Sequence, residues 1–151
     1  MPLDIRLADY SDASWLSDCT REAYAVYIPV LGREPMPMTI DYKKAIDEYE
    51  VWIAESHKER VGLLMLEIHT DHTVIYSVAV QPAHARQGVG RVLLNHAEEI
   101  TKLYGHRLIR LYTNERMERN IGIYRRLGYV DSHIENFKGS NVIHLMKTLQ
   151  L

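Results

Sequence analysis

The chain has 151 residues, 46% of them apolar and 25% charged, with a formal net charge of −2. That size and balance suit one globular domain with a sizeable core, and the lack of a basic excess argues against nucleic acid as a partner. No apolar stretch is long enough to span a bilayer, the N-terminus does not read as a secretory leader, and the lone Cys19 excludes an internal disulfide. A single domain over residues 1–151, cytoplasmic and away from membranes, is therefore expected.

In chain order, residues 3–7 predict a short strand. Ser11 or Asp12 can cap the helix that follows. Its apolar stripe is Trp15, Cys19, Ala23 and Val26, and Pro29 should stop it. Residues 27–38, YIPVLGREPMPM, hold three of the five prolines and predict an ordered, non-helical loop. Asp41 can cap a short helix over about 42–47. The runs YEVWIAE, RVGLLMLEI and TVIYSVAV are split by short polar segments and predict antiparallel neighbours. A helix over about 88–104 carries Val89, Val92, Leu93, Ala97, Ile100, Leu103 and Tyr104 as one stripe, with Gly105 as its stop. LIRLYT predicts a strand, ERNIGIYRRLG a helix, and YVDSHIENF and NVIHLMKTL strands around the turn KGSN.

The fold class is thus α/β (α+β): a mixed, largely antiparallel twisted sheet of about seven strands with about four helices. One crossover, from residue 73 to residue 113, should make its two strands parallel and be right-handed. The hairpin over residues 137–151 leaves an edge strand on which a second copy could pair, so a homodimer is a further expectation.

The run VAVQPAHARQGVGRVLLNHAEE places Gly-Val-Gly between Arg86 and Arg91 at the start of a helix. Glycine lets the backbone approach an anion closely, and the first N–H groups of a helix lack internal partners. Two owners of such a pattern fail. A dinucleotide fingerprint needs a third glycine where Leu93 stands, and a P-loop needs a Gly-Lys pair that the chain lacks.

The same run resembles the acetyl-CoA-binding motif of the GNAT superfamily of N-acetyltransferases, in which a strand ending V-A-V-x-P leads through a glycine loop into a helix. TNERMERNIGIYRRLGYV resembles the second signature of that family, and the order of elements agrees along almost the whole chain. The resemblance implies central strands that splay after residue 80 and an inserted pantetheine arm. Main-chain groups of Val78 and Val80, with Ala79 between them, would bond its amides. Backbone N–H groups of Arg86, Gln87, Gly88, Val89, Gly90 and Arg91 would hold the pyrophosphate. The first motif position, commonly Gln or Arg, is Ala85 here, so the charge falls to Arg86 or Arg91.

Tyr124 falls at the family's general-acid position. A phenol, of ordinary pKa about 10, is protonated at neutral pH and suited to protonating a leaving thiolate. The alternative is a core tyrosine spaced between Ile121 and Leu127. Asn120, one turn earlier, is the candidate for a cofactor contact, with Met117 at the position where relatives often carry Asn. The Val80 N–H is a candidate oxyanion donor. Relatives often place a basic carboxylate where this chain has Tyr76 and Tyr112. Glu67 acting through water is therefore the candidate base, with His144, or direct proton loss to solvent, as alternatives.

Tyr27, Arg33, Met36 and Tyr76 are candidates for the acceptor wall. Arg33 would suit a carboxylate-bearing amine, whereas Asp41, Asp47 and Glu48 would suit a cationic one. His69 and His72 sit in a predicted turn without a third ligand, so no metal is expected. The resemblance implies transfer of the acetyl group of acetyl-CoA directly onto a primary amine of a small molecule, peptide or protein. The alternative is a CoA-binding sensor or interaction module with little turnover.

Overall fold

The structure, a computed structural model, describes residues 2–150. Strands β1 (Asp4–Leu7), β2 (Glu50–Ser56), β3 (Glu59–Ile68), β4 (His72–Val80), β5 (Leu108–Asn114), β6 (Val130–Phe137) and β7 (Ser140–Thr148) form one sheet in the order β1-β2-β3-β4-β5-β7-β6. The helices are α1 (Ala13–Tyr24), α2 (Ile28–Leu31), α3 (Tyr42–Glu48), α4 (Val89–Leu103) and α5 (Glu118–Arg126). Neighbouring strands are antiparallel except β4 and β5, the pair joined through α4. The mixed sheet expected from the sequence is therefore present; β1 and β6 are its edge strands, so in the C-terminal hairpin the edge is β6, with β7 inside between β5 and β6.

Each face of the sheet carries its own core. Leu16, Cys19, Tyr42 and Ala45 of α1 and α3 pack on Val51, Ile53, Leu63 and Met65. Val89, Leu93, Ala97 and Ile100 of α4, with Ile121 of α5, pack on Leu64, Leu66, Ile75, Ile109 and Leu111. The central strand β3 is covered on both sides, which is why residues 61–66 are apolar or Gly without alternation. Gly62 lies under α4 because a Cβ there would come within 3.0 Å of Leu93 Cδ1 and Val89 Cγ1.

Four local expectations are corrected. Asp9, not Ser11 or Asp12, makes the cap, accepting from the Ser11 N–H at 2.9 Å ahead of a 3-10 turn over Tyr10–Asp12. The Asp12 carboxylate is buried and serves the core boundary, accepting from Arg6 at 2.8 and 2.9 Å and from the Asp9 N–H at 2.9 Å, and ion-paired with Arg60 at 3.1 Å. On α1 the buried positions are Ala13, Leu16, Cys19 and Thr20, Trp15 and Ala23 pack half-buried against the same core, and only Val26 of the expected stripe is exposed, beyond the helix end. On α4 the stripe runs through Leu94 and Thr101, leaving Val92, Leu103 and Tyr104 exposed.

The fourth correction concerns the loop. Pro29 does not end helical structure. It stands in the first turn of α2, where its missing N–H costs nothing. A second 3-10 turn spans Met36–Thr39, so much of residues 27–38 is helical in character. Asp41 caps α3 as expected, through the Lys43 N–H at 3.1 Å.

Candidate active site

β4 and β5 are paired only from His72–Leu108 to Ile75–Leu111. Beyond that point β5 continues to Asn114 along β7, while β4 continues to Val80 along β3. The two strands part and leave a gap. A bulge marks the parting: Met65 faces Ser77 and Leu66 faces Ile75, so Tyr76 is the extra residue on β4. Ile75 packs on the α4 side, Tyr76 on the α1 side, and Val78 again on the α4 side. A bulge that bends one strand and re-aims its side chains is a common device beside a site.

The same segment presents main-chain groups to the gap. The Gln81 N–H donates to the Val61 carbonyl at 2.8 Å. Alternation along an antiparallel strand then turns the peptide groups of Val80 and Val78 to the opposite edge. The Val78 carbonyl accepts from the Tyr24 hydroxyl at 3.1 Å, as a group outside the β3 ladder can.

A cavity of about 370 Å³ occupies this gap. Tyr76, Ser77 and Val78 line it from β4, Tyr112 from β5, and Asn120 and Tyr124 from α5. Burial holds the Tyr124 hydroxyl well above the usual phenol range, and the nearby Tyr24 and Tyr27 phenols add to this. The group is thus kept as a neutral proton donor. Tyr27 donates to Asn120 Oδ1 at 3.2 Å, and Arg116 Nη1 donates to the Val30 carbonyl at 3.3 Å, so the α1–α2 segment is tied across to α5.

The hairpin of β6 and β7 forms the opposite wall. His144 Nε2 lies 3.0 Å from Glu135 Oε1. The His144 ring stacks on His133 at 4.1 Å and sits 5.4 Å from Tyr112. Burial, then Tyr76 and Glu67, push the Tyr112 phenol up to about 12.

Past the end of β4, a 3-10 turn over Pro82–His84 leads to two left-handed residues, Arg86 at φ 64° and Gly88 at φ 83°. A non-glycine residue in that region is uncommon and marks a turn under constraint. Val89 is buried and anchors the start of α4. The Val92 N–H donates to the Gly88 carbonyl at 3.1 Å, so the N–H groups of Val89, Gly90 and Arg91 precede the internal ladder and point outward. A Cβ on Gly90 would lie 3.7 Å from Val80 Cγ2, so this turn sits directly against the strand end.

The profile of the family described as "Acetyltransferase (GNAT) family" matches residues 14–129. The chain belongs to the GNAT acetyltransferase family. "Probable N-acetyltransferase 14" of Xenopus tropicalis is 28% identical over 117 residues, which are 76% of this chain and 57% of that protein. The chain thus spans little more than half the length of that relative. Two solved structures share the fold at a TM-score of 0.81. The Escherichia coli ribosomal-protein-S18-alanine N-acetyltransferase is 16% identical, with 99% of this chain and 96% of that chain covered. The PaiA N-acetyltransferase of Thermoplasma acidophilum, solved with coenzyme A, is 20% identical, with 98% and 99% covered.

Within this GNAT fold the expected residues separate into groups. Tyr76, Val78, Asn120, Tyr124, Arg33 and Met36 meet at the cavity. Tyr27 stands behind it, bonded to Asn120. Ala79 is buried toward α1 and α3, and Val80 joins the cavity strand to the turn. Arg86, Gln87, Gly88 and Arg91 lie exposed around the helix start. Glu67 does not line the cavity; its carboxylate lies 3.6 Å from His69 Nε2. Sequence reasoning missed Tyr24, Ser77 and Glu135. Nothing near Tyr24 separates it from a helix-end aromatic, and Glu135 meets His144 only once the hairpin register is known.

Proposed function

We propose that the chain is an acetyl-CoA-dependent N-acetyltransferase that moves the acetyl group directly onto a primary amine. The observation that carries this reading is the gap between β4 and β5 beyond Ile75 and Leu111, with Tyr124 inside it and the outward N–H groups of Val89, Gly90 and Arg91 close to its strand end. Acetyl-CoA supplies an acyl thioester, which an unprotonated amine attacks without a covalent enzyme adduct. The residues present fit it. Val78 and Val80 have main-chain groups on an edge that no neighbouring strand pairs, as an added strand would need. The start of α4, with the charges of Arg86 and Arg91, suits a pyrophosphate. The open space around Gly88, where a Cβ would meet nothing within 4 Å, leaves that turn accessible.

In this reading the Val80 N–H is aimed at the acyl oxygen as charge develops there. Tyr124 gives its proton to the departing sulfur and recovers one from solvent. Asn120, tied to Tyr27, borders the cofactor side. Tyr76, Arg33 and Met36 border the acceptor side, where the amine of a small molecule, peptide or protein enters.

Calorimetric titration of acetyl-CoA, with ATP and NAD as comparators, tests the reading on wild type and Gly88→Glu. Tight acetyl-CoA binding that the variant loses supports it. No binding by wild type overturns it. A protein that binds acetyl-CoA but accelerates CoA release with no amine is instead a sensor or interaction module.

A further inference from the structure

We infer that His144, held by Glu135, is the base that takes the proton from the acceptor amine. This rests on the acetyltransferase reading above. Leu111 is the last β5 residue paired with β4, and the next residue, Tyr112, lies opposite His144 on β7. The imidazole therefore stands where the two central strands separate, and it lines the same cavity as Tyr124. The alternatives are poorly placed. Tyr76 and Tyr112 are phenols, protonated at neutral pH. Glu67 lies outside the cavity, beside His69.

The ring is fixed for the task. Nε2–H donates to Glu135 Oε1 at 3.0 Å, which leaves Nδ1 as the proton acceptor. His133 stacks on one side at an interplanar angle of 13°, and Tyr112 lies tilted at 32°. The titratable and charged groups around His144 are Glu135 and His133 on β6, Tyr112 and Arg110 on β5, and Arg33 across the cavity. Tyr76 and Glu67 lie beyond Tyr112. The proton balance closes. An amine proton passes to Nδ1, the N–C bond forms as the C–S bond breaks, and Tyr124 protonates the sulfur. Solvent then takes the proton from the imidazolium and returns one to the phenolate.

The experiment follows CoA thiol release against pH, with a panel of primary amines and with water alone, for wild type, His144→Gln, Glu135→Gln and Glu67→Gln. Acetyl-CoA binding is titrated in parallel. In His144→Gln we expect kcat/KM to fall by about 10²–10⁴-fold, through kcat, with acetyl-CoA affinity kept. Glu135 is a positioning residue, so Glu135→Gln should lower kcat while leaving acetyl-CoA affinity unchanged, because the ring loses the partner that fixes its tautomer and orientation. Glu135 is exposed, so this variant tests the pair even if His144→Gln folds poorly. Wild-type kcat/KM in His144→Gln overturns the assignment. So does a loss confined to Glu67→Gln, or a wild type that binds acetyl-CoA without accelerating thiol release. Failure of wild type to bind acetyl-CoA removes the acetyltransferase reading itself, a separate result.

Discussion

Tyr24 donates its hydroxyl to the Val78 carbonyl at 3.1 Å, so the strand edge facing the gap already carries a bond from the last turn of α1. The same hydroxyl lies 3.4 Å from Ser77 Oγ. A ligand amide that needs the Val78 carbonyl must share it or displace Tyr24. Tyr24→Phe removes the competitor. One such hydrogen bond is worth about 0.5–1.5 kcal/mol net, so acetyl-CoA should bind roughly two- to thirteenfold more tightly. Calorimetric comparison with wild type checks this, and weaker binding would show that Tyr24 holds the edge in its binding geometry.

Tyr124→Phe keeps the ring and removes the proton. Its packing on Tyr129, edge-on at 5.9 Å, should survive. The turnover number should fall by about 10²–10⁴-fold while the acetyl-CoA Kd stays near wild type. Burial raises the folded phenol above its ordinary value, so its acid form persists through neutral and mildly alkaline pH. Any loss of wild-type activity between pH 7 and pH 9 should therefore also be present in Tyr124→Phe, when residual rates are compared across that window.

Asp12 joins β1, β3 and the start of α1 through Arg6 and Arg60. Its carboxyl is held below the usual range first by the Arg6 hydrogen bond, against the opposing effect of burial. Because the folded value lies below the unfolded one, this stabilisation is complete above the unfolded pKa of about 3.9 and fades as pH falls through the folded value. Asp12→Asn should cost about 3 kcal/mol at pH 7, the lower end for a broken buried pair, since Arg6 keeps some contact with water. Urea denaturation should show the gap to wild type narrowing below about pH 4.

Gly62→Ala places a methyl group within 3.0 Å of Leu93 and Val89 and 3.1 Å from the Ala79 carbonyl. The Leu93 and Val89 side chains, and α4 with them, must give by a few tenths of an ångström, and overpacking of this kind costs about 1–3 kcal/mol. Val89 is the first residue of α4, and Gly90 beside it rests on Val80, so an adjustment at Val89 should also reach the helix start. The variant should lose both thermal stability and acetyl-CoA affinity. A pure stability loss would mean that α4 absorbs the methyl group without moving its first turn.

The order of strands and helices was legible because each element carries its own period and punctuation, as Asp41 and Gly105 do for α3 and α4. The glycine turn and Tyr124 were legible through the two linked signatures. Phase and register were not. On α4, Val92, Leu103 and Tyr104 fit the expected stripe but face solvent. The sequence cannot say which side of a broad apolar arc meets the sheet. Pro29 marks a stop or a first turn equally well, and the choice depends on the tertiary path of residues 25–31. The pairing of Glu135 with His144 depends on an irregular register between Asp131 and His133, which no single-strand pattern reveals.

The four residue pairs between β4 and β5 are the whole parallel junction of the sheet. On one side β1 to β4 form an antiparallel unit, and on the other β5, β7 and β6 form a second. The gap is therefore also a seam, where the sheet is least cross-linked and local opening should be easiest. A molecule lying along both free edges would act as a clasp between the two halves. At a concentration one hundred times its Kd it would add about 2.7 kcal/mol to the folded state. The amides of Val78 and Val80 should then go from the fastest-exchanging in the central strands to among the slowest.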